Sequence, residues 1–127
     1  MEARNLNTAA LAFMGDAVYD KAVREKILNE GAGRVDALHK KAVRYVSAKA
    51  QAKAIKGMFD GLSETEQALV KRARNHRYHS KAKNADPMTY KWASAFEALI
   101  GYLYLAGEDK RLSSVIDQAF ERIDETG

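Results

Sequence analysis

The chain has no cysteine, which excludes disulfides and thiolate metal sites and fits a cytoplasmic setting. It has one proline, Pro87, and no Gly- or Ser-rich tract, so no internal linker is visible. No internal repeat stands out. The opening residues, Met1-Glu2-Ala3-Arg4-Asn5, lack a basic segment followed by an apolar one, and no secretory signal is expected. Long hydrophobic runs are also missing. The longest, Trp92 to Ala106, falls short of the roughly 20 residues a bilayer demands and contains Glu97. No membrane span is expected. Period-two alternation is scarce, which argues against strands.

One window lacks acids altogether. From Lys71 to Lys83 the chain reads KRARNHRYHSKAK, with six Lys or Arg and no Asp or Glu. The whole chain carries a formal charge of +4 and a pI near 9.3, which tilts the partner towards nucleic acid. With 127 residues and 46% hydrophobic content, residues 1–127 are expected to form one domain with a single core.

The pattern predicts an all-α protein. Asn7 or Thr8 caps a first helix that runs to about Asn29 and stops at Gly31. A second helix covers Val35 to Tyr45, with Leu38, Ala42, Val43 and Val46 facing inwards. Ser47 caps a third that runs towards Met58. Ser63 and Glu66 fit a capping box that opens a fourth. A loop is expected from about Asn75 to Met88, because Pro87 disfavours helix in the residue before it. A fifth helix spans roughly Thr89 to Leu105, and a sixth, amphipathic through Leu112, Val115, Ile116, Ala119 and Phe120, runs from about Lys110 to Ile123.

What stands out against this background is a pair of lone carboxylates. Asp16 sits in Leu11-Ala12-Phe13-Met14-Gly15-Asp16-Ala17-Val18-Tyr19. Glu97 sits in Ala95-Phe96-Glu97-Ala98-Leu99-Ile100-Gly101. Such apolar stretches are expected to be buried, and a buried carboxylate is costly unless it is paired, hydrogen-bonded or bound to a cation. If the fold brings them together, the two suggest a metal site that cleaves a polyanion. A satisfied buried Asp, capping a kink at Gly15, is the structural alternative for Asp16. A partly exposed helical acid is the alternative for Glu97. Asp20 lies one turn beyond Asp16 on the same face and reads as an ordinary surface acid. His76 and His79 form H-x-x-H, but their cationic neighbours favour phosphate contact or simple exposure over a zinc site.

These segments resemble the ribonuclease III catalytic domain. The Phe-Leu-Gly-Asp-Ala signature appears as Phe13-Met14-Gly15-Asp16-Ala17, and the second acidic motif as Ser94-Ala95-Phe96-Glu97-Ala98-Leu99. The order, separation and helical context agree from about Leu6 to Ile123. The chain is most similar to the short bacterial branch, Mini-ribonuclease III, through Leu38-His39-Lys40-Lys41, Val46 to Ala52, and Lys71-Arg72-Ala73-Arg74-Asn75. Ala12 and Ser94 stand where the larger enzymes carry two further acids.

The resemblance implies a homodimeric, cytoplasmic endoribonuclease without a double-stranded-RNA-binding domain. It would hydrolyse double-stranded RNA, such as the large-subunit (23S) ribosomal RNA precursor. A ribosomal-protein accessory factor is left open. Asp16 and Glu97 would be the catalytic, metal-holding residues, with Mg²⁺ as cofactor and Mn²⁺ able to substitute. Water, not a carboxylate, would be the nucleophile. Phe13 and Met14 would lie at the two-fold seam. Duplex RNA is read through phosphates and 2′-hydroxyls, which calls for dispersed cations. Lys71, Arg72, Arg74, Arg77, Lys81 and Lys83 supply them, with Asn75, His76 and Tyr78 as further polar contacts and Lys40, Lys41, Lys49 and Lys53 in a second strip. The competing reading is a non-catalytic helical RNA-binding module that kept the fold; a weaker third is a small helical interaction protein.

Overall fold

Asn7 turns the chain into its first long helix by accepting a hydrogen bond from the Ala10 backbone at 2.8 Å. The computed structural model describes residues 1–31, 33–76 and 86–125. Among the described residues there are six α-helices: α1 (Thr8–Glu30), α2 (Val35–Val46), α3 (Ala48–Met58), α4 (Glu64–Arg74), α5 (Pro87–Leu105) and α6 (Asp109–Asp124). Single 3₁₀ turns lie at Ala3–Asn5 and Phe59–Gly61, and no strand occurs among the described residues. The protein is all-α, as its sequence predicts.

The caps follow the sequence closely. Gly31 ends α1 with φ at 131°, a conformation open to glycine. Ser47 accepts from the Ala50 backbone at 3.2 Å. Ser63 and Glu66 form the expected reciprocal box, at 2.9 and 3.1 Å. The fifth helix starts earlier than predicted. Asp86 caps it through the Thr89 backbone at 2.9 Å, and Pro87 is its first residue. Proline suits that position, because its missing N–H has no partner to lose there.

Helix α5 is the hub and packs against α1, α3, α4 and α6. It buries Phe96, Leu99, Ile100 and Leu103, against Leu11, Tyr19, Val23 and Ile27 of α1 and Ile55 of α3. Each such side chain contributes about 1.5–3 kcal/mol of burial energy. Tyr19 meets Phe96 edge-on, with centroids 4.9 Å apart. Its hydroxyl donates to the Tyr45 carbonyl at 2.9 Å, and Tyr45 donates to Asp124 at 2.7 Å, which ties α1, α2 and α6. Val43 departs from its predicted role. It is 59% exposed, while Leu38, Ala42 and Val46 are half-buried. The residue that α2 buries is Tyr45, two positions after Val43; its aromatic ring packs edge-on against Phe120.

Helices α1 and α5 touch through their main chains. A Cβ on Gly15 would overlap the Glu97 carbonyl oxygen and come within 2.8 Å of the Gly101 nitrogen. A Cβ on Gly101 would overlap the Leu11 carbonyl oxygen and come within 2.9 Å of the Gly15 nitrogen. Each glycine therefore admits the backbone of the other helix. Helix α1 continues through Gly15 without interruption.

A second acid of α4 has a structural role that its cap alone did not reveal. Arg111 of α6 donates twice to the buried Glu66 carboxylate, both at 2.8 Å. The guanidinium holds that carboxyl below its ordinary value of 4.5. Arg111→Met should cost about 1.5–3 kcal/mol in urea unfolding at neutral pH. Because the folded value is depressed, the contribution is present above the unfolded value and lost as pH falls through the folded one. The gap between variant and wild type should therefore shrink in acid.

Candidate active site

Asp16 and Glu97 meet. Gly15 seats the Glu97 backbone directly on α1, one residue from Asp16, and the two carboxyl groups lie in hydrogen-bonding contact. The premise of two buried acids needs correction. Asp16 is exposed and Glu97 is half-buried, so the pair sits at the surface end of the crossing. Burial, then the Asp16 charge and its hydrogen bond, push the Glu97 carboxyl up to about 8, against a lowering contact from Gln51. Two carboxylates this close cannot both ionise freely. A proton on Glu97 relieves the repulsion, and a cation would do the same.

The oxygen-only donor set fits Mg²⁺, which accepts one or two carboxylates and takes its other ligands from water and substrate phosphate. Among the described residues, no group of three or more His, Cys, Asp or Glu side chains is placed to hold a metal. The positions that would have enlarged the set, Ala12 and Ser94, are packed at 8% and 4% exposure. Asp20 does not join the pair; it accepts from Arg24 at 3.0 Å, as a surface acid does.

Sequence reasoning missed Gln51. It lies on α3, buried, with its Nε2 donating to the Val46 carbonyl at 3.0 Å and to Glu97 at 3.5 Å. A signal was available: Gln51, Ile55 and Met58 follow helical spacing, so a lone polar residue shares a face with two core residues.

The cations expected to grip RNA divide into several environments. Lys40, Lys49, Lys71 and Arg72 are exposed. Arg74 is half-buried, its guanidinium 4.9 Å from the centroid of the Trp92 ring, and its Nε donates to the Asn75 side chain at 3.3 Å. Trp92 in turn meets Phe59 edge-on at 6.2 Å. His76 is half-buried just past the end of α4. Arg77, Lys81 and Lys83, with Tyr78 and His79, lie outside the described residues. Phe13 is 81% exposed and Met14 half-buried.

Residues 9–108 match the Ribonuclease III domain family. The chain belongs to the ribonuclease III family. Within it, the relatives are of the Mini-ribonuclease 3 kind. The chain is 49% identical to Mini-ribonuclease 3 of Brevibacillus brevis, over 90% of this chain and 85% of that one. It is 42% identical to Mini-ribonuclease 3 of Enterococcus faecalis, over 97% and 95%. The fold is similar to a crystal structure of a Fusobacterium nucleatum protein, with a TM-score of 0.82 and 30% identity, covering 93% of this chain and 94% of that one. The ribonuclease III match spans both acidic motifs, so the signature around Asp16 and the one around Glu97 fall inside the family's domain. Among the described residues, no helix is long and apolar enough to cross a membrane.

Proposed function

We propose that Asp16 and Glu97 form the active site of a Mg²⁺-dependent endoribonuclease that hydrolyses phosphodiester bonds in double-stranded RNA. Family membership carries the ribonuclease activity on duplex RNA. The observation that carries the site is the contact between the two carboxyl groups across the Gly15–Gly101 crossing. Asp16 and Glu97 would hold a divalent ion, which when bound would supply an activated water and neutralise charge on the scissile phosphate. Gln51 Nε2 donates to the Glu97 side chain at 3.5 Å. Mn²⁺ fits the same oxygens. The test is cleavage of a long RNA duplex and of a single strand of the same sequence, in Mg²⁺ and in EDTA. Cleavage confined to duplex with Mg²⁺ is expected. Equal cleavage in EDTA would remove the metal from the reading.

The exposed cations Lys40, Lys49, Lys71 and Arg72, with Arg74, Asn75, His76 and the undescribed Arg77, Lys81 and Lys83, are proposed to contact RNA phosphates. The Lys71–Lys83 window holds no acid to oppose them. Resemblance to the short bacterial branch supports the 23S ribosomal RNA precursor as substrate, and a cytoplasmic site of action.

The protein is proposed to act as a homodimer. Phe13 exposes an aromatic ring to solvent three residues before Asp16, on the same face of α1. A two-fold seam there is self-complementary, and Met14 lies beside it. It would place one site per subunit near the other, one for each strand. Phe13→Asp should shift the protein to monomer in sedimentation equilibrium. An unchanged dimer would move the seam elsewhere.

A further inference from the structure

The carboxamide of Gln51 has a fixed orientation. The Val46 carbonyl, which can only accept, faces one end of it at 3.0 Å, and Glu97 Oε2 lies at 3.5 Å from the same end. The donor end must lie there, because the reverse setting would place oxygen against oxygen. Oε1 is therefore held at the other end, and it has no hydrogen-bond partner. It is the one buried side-chain nitrogen or oxygen so left among the described residues. Gln51 is only 4% exposed, so the vacancy is not a surface group facing bulk water. A buried acceptor left unmade costs more than the bond it could form would return, and such groups in folded proteins have a reason.

The same side chain that carries this vacancy also holds Glu97. We infer that Gln51 is a positioning residue of the active site, holding the Glu97 carboxylate through Nε2 and offering Oε1 to a hydrogen brought in by the hydrated divalent ion. The inference rests on the metal-dependent reading above. Its chemistry follows from the short supply of oxygens. Mg²⁺ keeps several of its waters, and those waters need acceptors as well as the ion needs ligands. Ala12 and Ser94 bring no carboxylate to the task. A neutral carboxamide oxygen supplies an acceptor without adding a third negative charge beside Asp16 and Glu97.

The test uses the whole chain, isotope-labelled, with cleaved RNA duplex held at constant concentration while MgCl₂ is added. The carboxamide of Gln51 and the carboxyl carbons of Asp16 and Glu97 are followed by NMR. The expected result is that Gln51 shifts with the same Mg²⁺ midpoint as the two acids. Shifts at the acids with Gln51 unmoved overturn the inference and leave the metal site standing. A Gln51 shift complete on adding RNA, before any Mg²⁺, assigns Oε1 to a substrate hydroxyl and also overturns it. Silence at all three residues overturns the metal reading together with the inference. The variant Gln51→Met gives a second measure. Its Mg²⁺ requirement for half-maximal cleavage should rise about tenfold, with KM for duplex RNA unchanged. An unchanged Mg²⁺ requirement in the folded variant overturns the inference; if the variant does not fold, the labelled wild type decides.

Discussion

Asp16→Asn and Glu97→Gln are each expected to lower duplex cleavage by more than about 100-fold, while RNA binding measured without metal stays at the wild-type level. The substitutions keep size and remove charge. Altering a group that only supports metal ligands already costs about 10–100-fold, and losing a ligand from a site with two acids should cost more. Stability separates this from misfolding. In the metal-free protein the Glu97 carboxyl is raised to about 8, so the folded state favours its neutral form. That contribution is complete below the ordinary value of 4.5 and is lost as pH rises through the folded one. Metal-free wild type should therefore lose stability as pH rises from about 5 to 8. Glu97→Gln, permanently neutral, should not show that loss. A variant that is inactive, folded and flat over this pH range identifies an electrostatic role. Wild-type cleavage rates in both variants would remove these residues from the chemistry.

The second large effect is steric. Gly101→Ala should destabilise the protein by about 3 kcal/mol or more, at the upper end of what overpacking costs. The methyl group would overlap the Leu11 carbonyl, which is main chain near the start of α1 and has no rotamer through which to move aside. The helices would have to separate. Gly15→Ala faces the Glu97 carbonyl and should behave alike. A total stability of about 5–15 kcal/mol leaves little margin for such a change. Any folded fraction should also be slow, since a displacement of about 1 Å at a reactive site can cost about 100-fold in rate. Urea unfolding and single-turnover cleavage measure the two effects. A Gly101→Ala protein as stable and active as wild type would mean that the crossing is looser than the structure shows.

Much of this was legible in the residues. Capping chemistry is local, so Asn7, Ser47 and the Ser63–Glu66 box could be read directly, and the apolar periodicity of α6 placed Val115, Ile116 and Ala119 in the core. Asp16 and Glu97 could be singled out because a lone acid in an apolar run is conspicuous. Their contact could not be read from spacing, because it depends on which faces of α1 and α5 meet. Gly15 and Gly101 set that meeting, and a glycine inside a helix looks alike whether it serves a kink or a close approach. Asp16's exposure was hidden for a related reason. Apolar neighbours such as Phe13 are themselves exposed in the single chain, so an apolar run did not amount to a buried one. Gln51 escaped notice in an Ala- and Lys-rich helix because its partner lies 46 positions away.

The crossing of α1 and α5 also bears on how the protein can change. Its closest approach is peptide group against peptide group, with no side chain between. The spacing of the two acids is thus written into the backbone and insulated from the surrounding hydrocarbon. Core residues such as Leu99 or Val23 can drift in shape with little consequence for the chemistry. A single inserted residue in α1 between Leu11 and Asp16 would instead turn the carboxylate about 100° around its axis and advance it by about 1.5 Å. Away from the two glycines, substitution leaves the spacing of the acids intact while insertion destroys it, an asymmetry that confines tolerated length changes to the connections between helices.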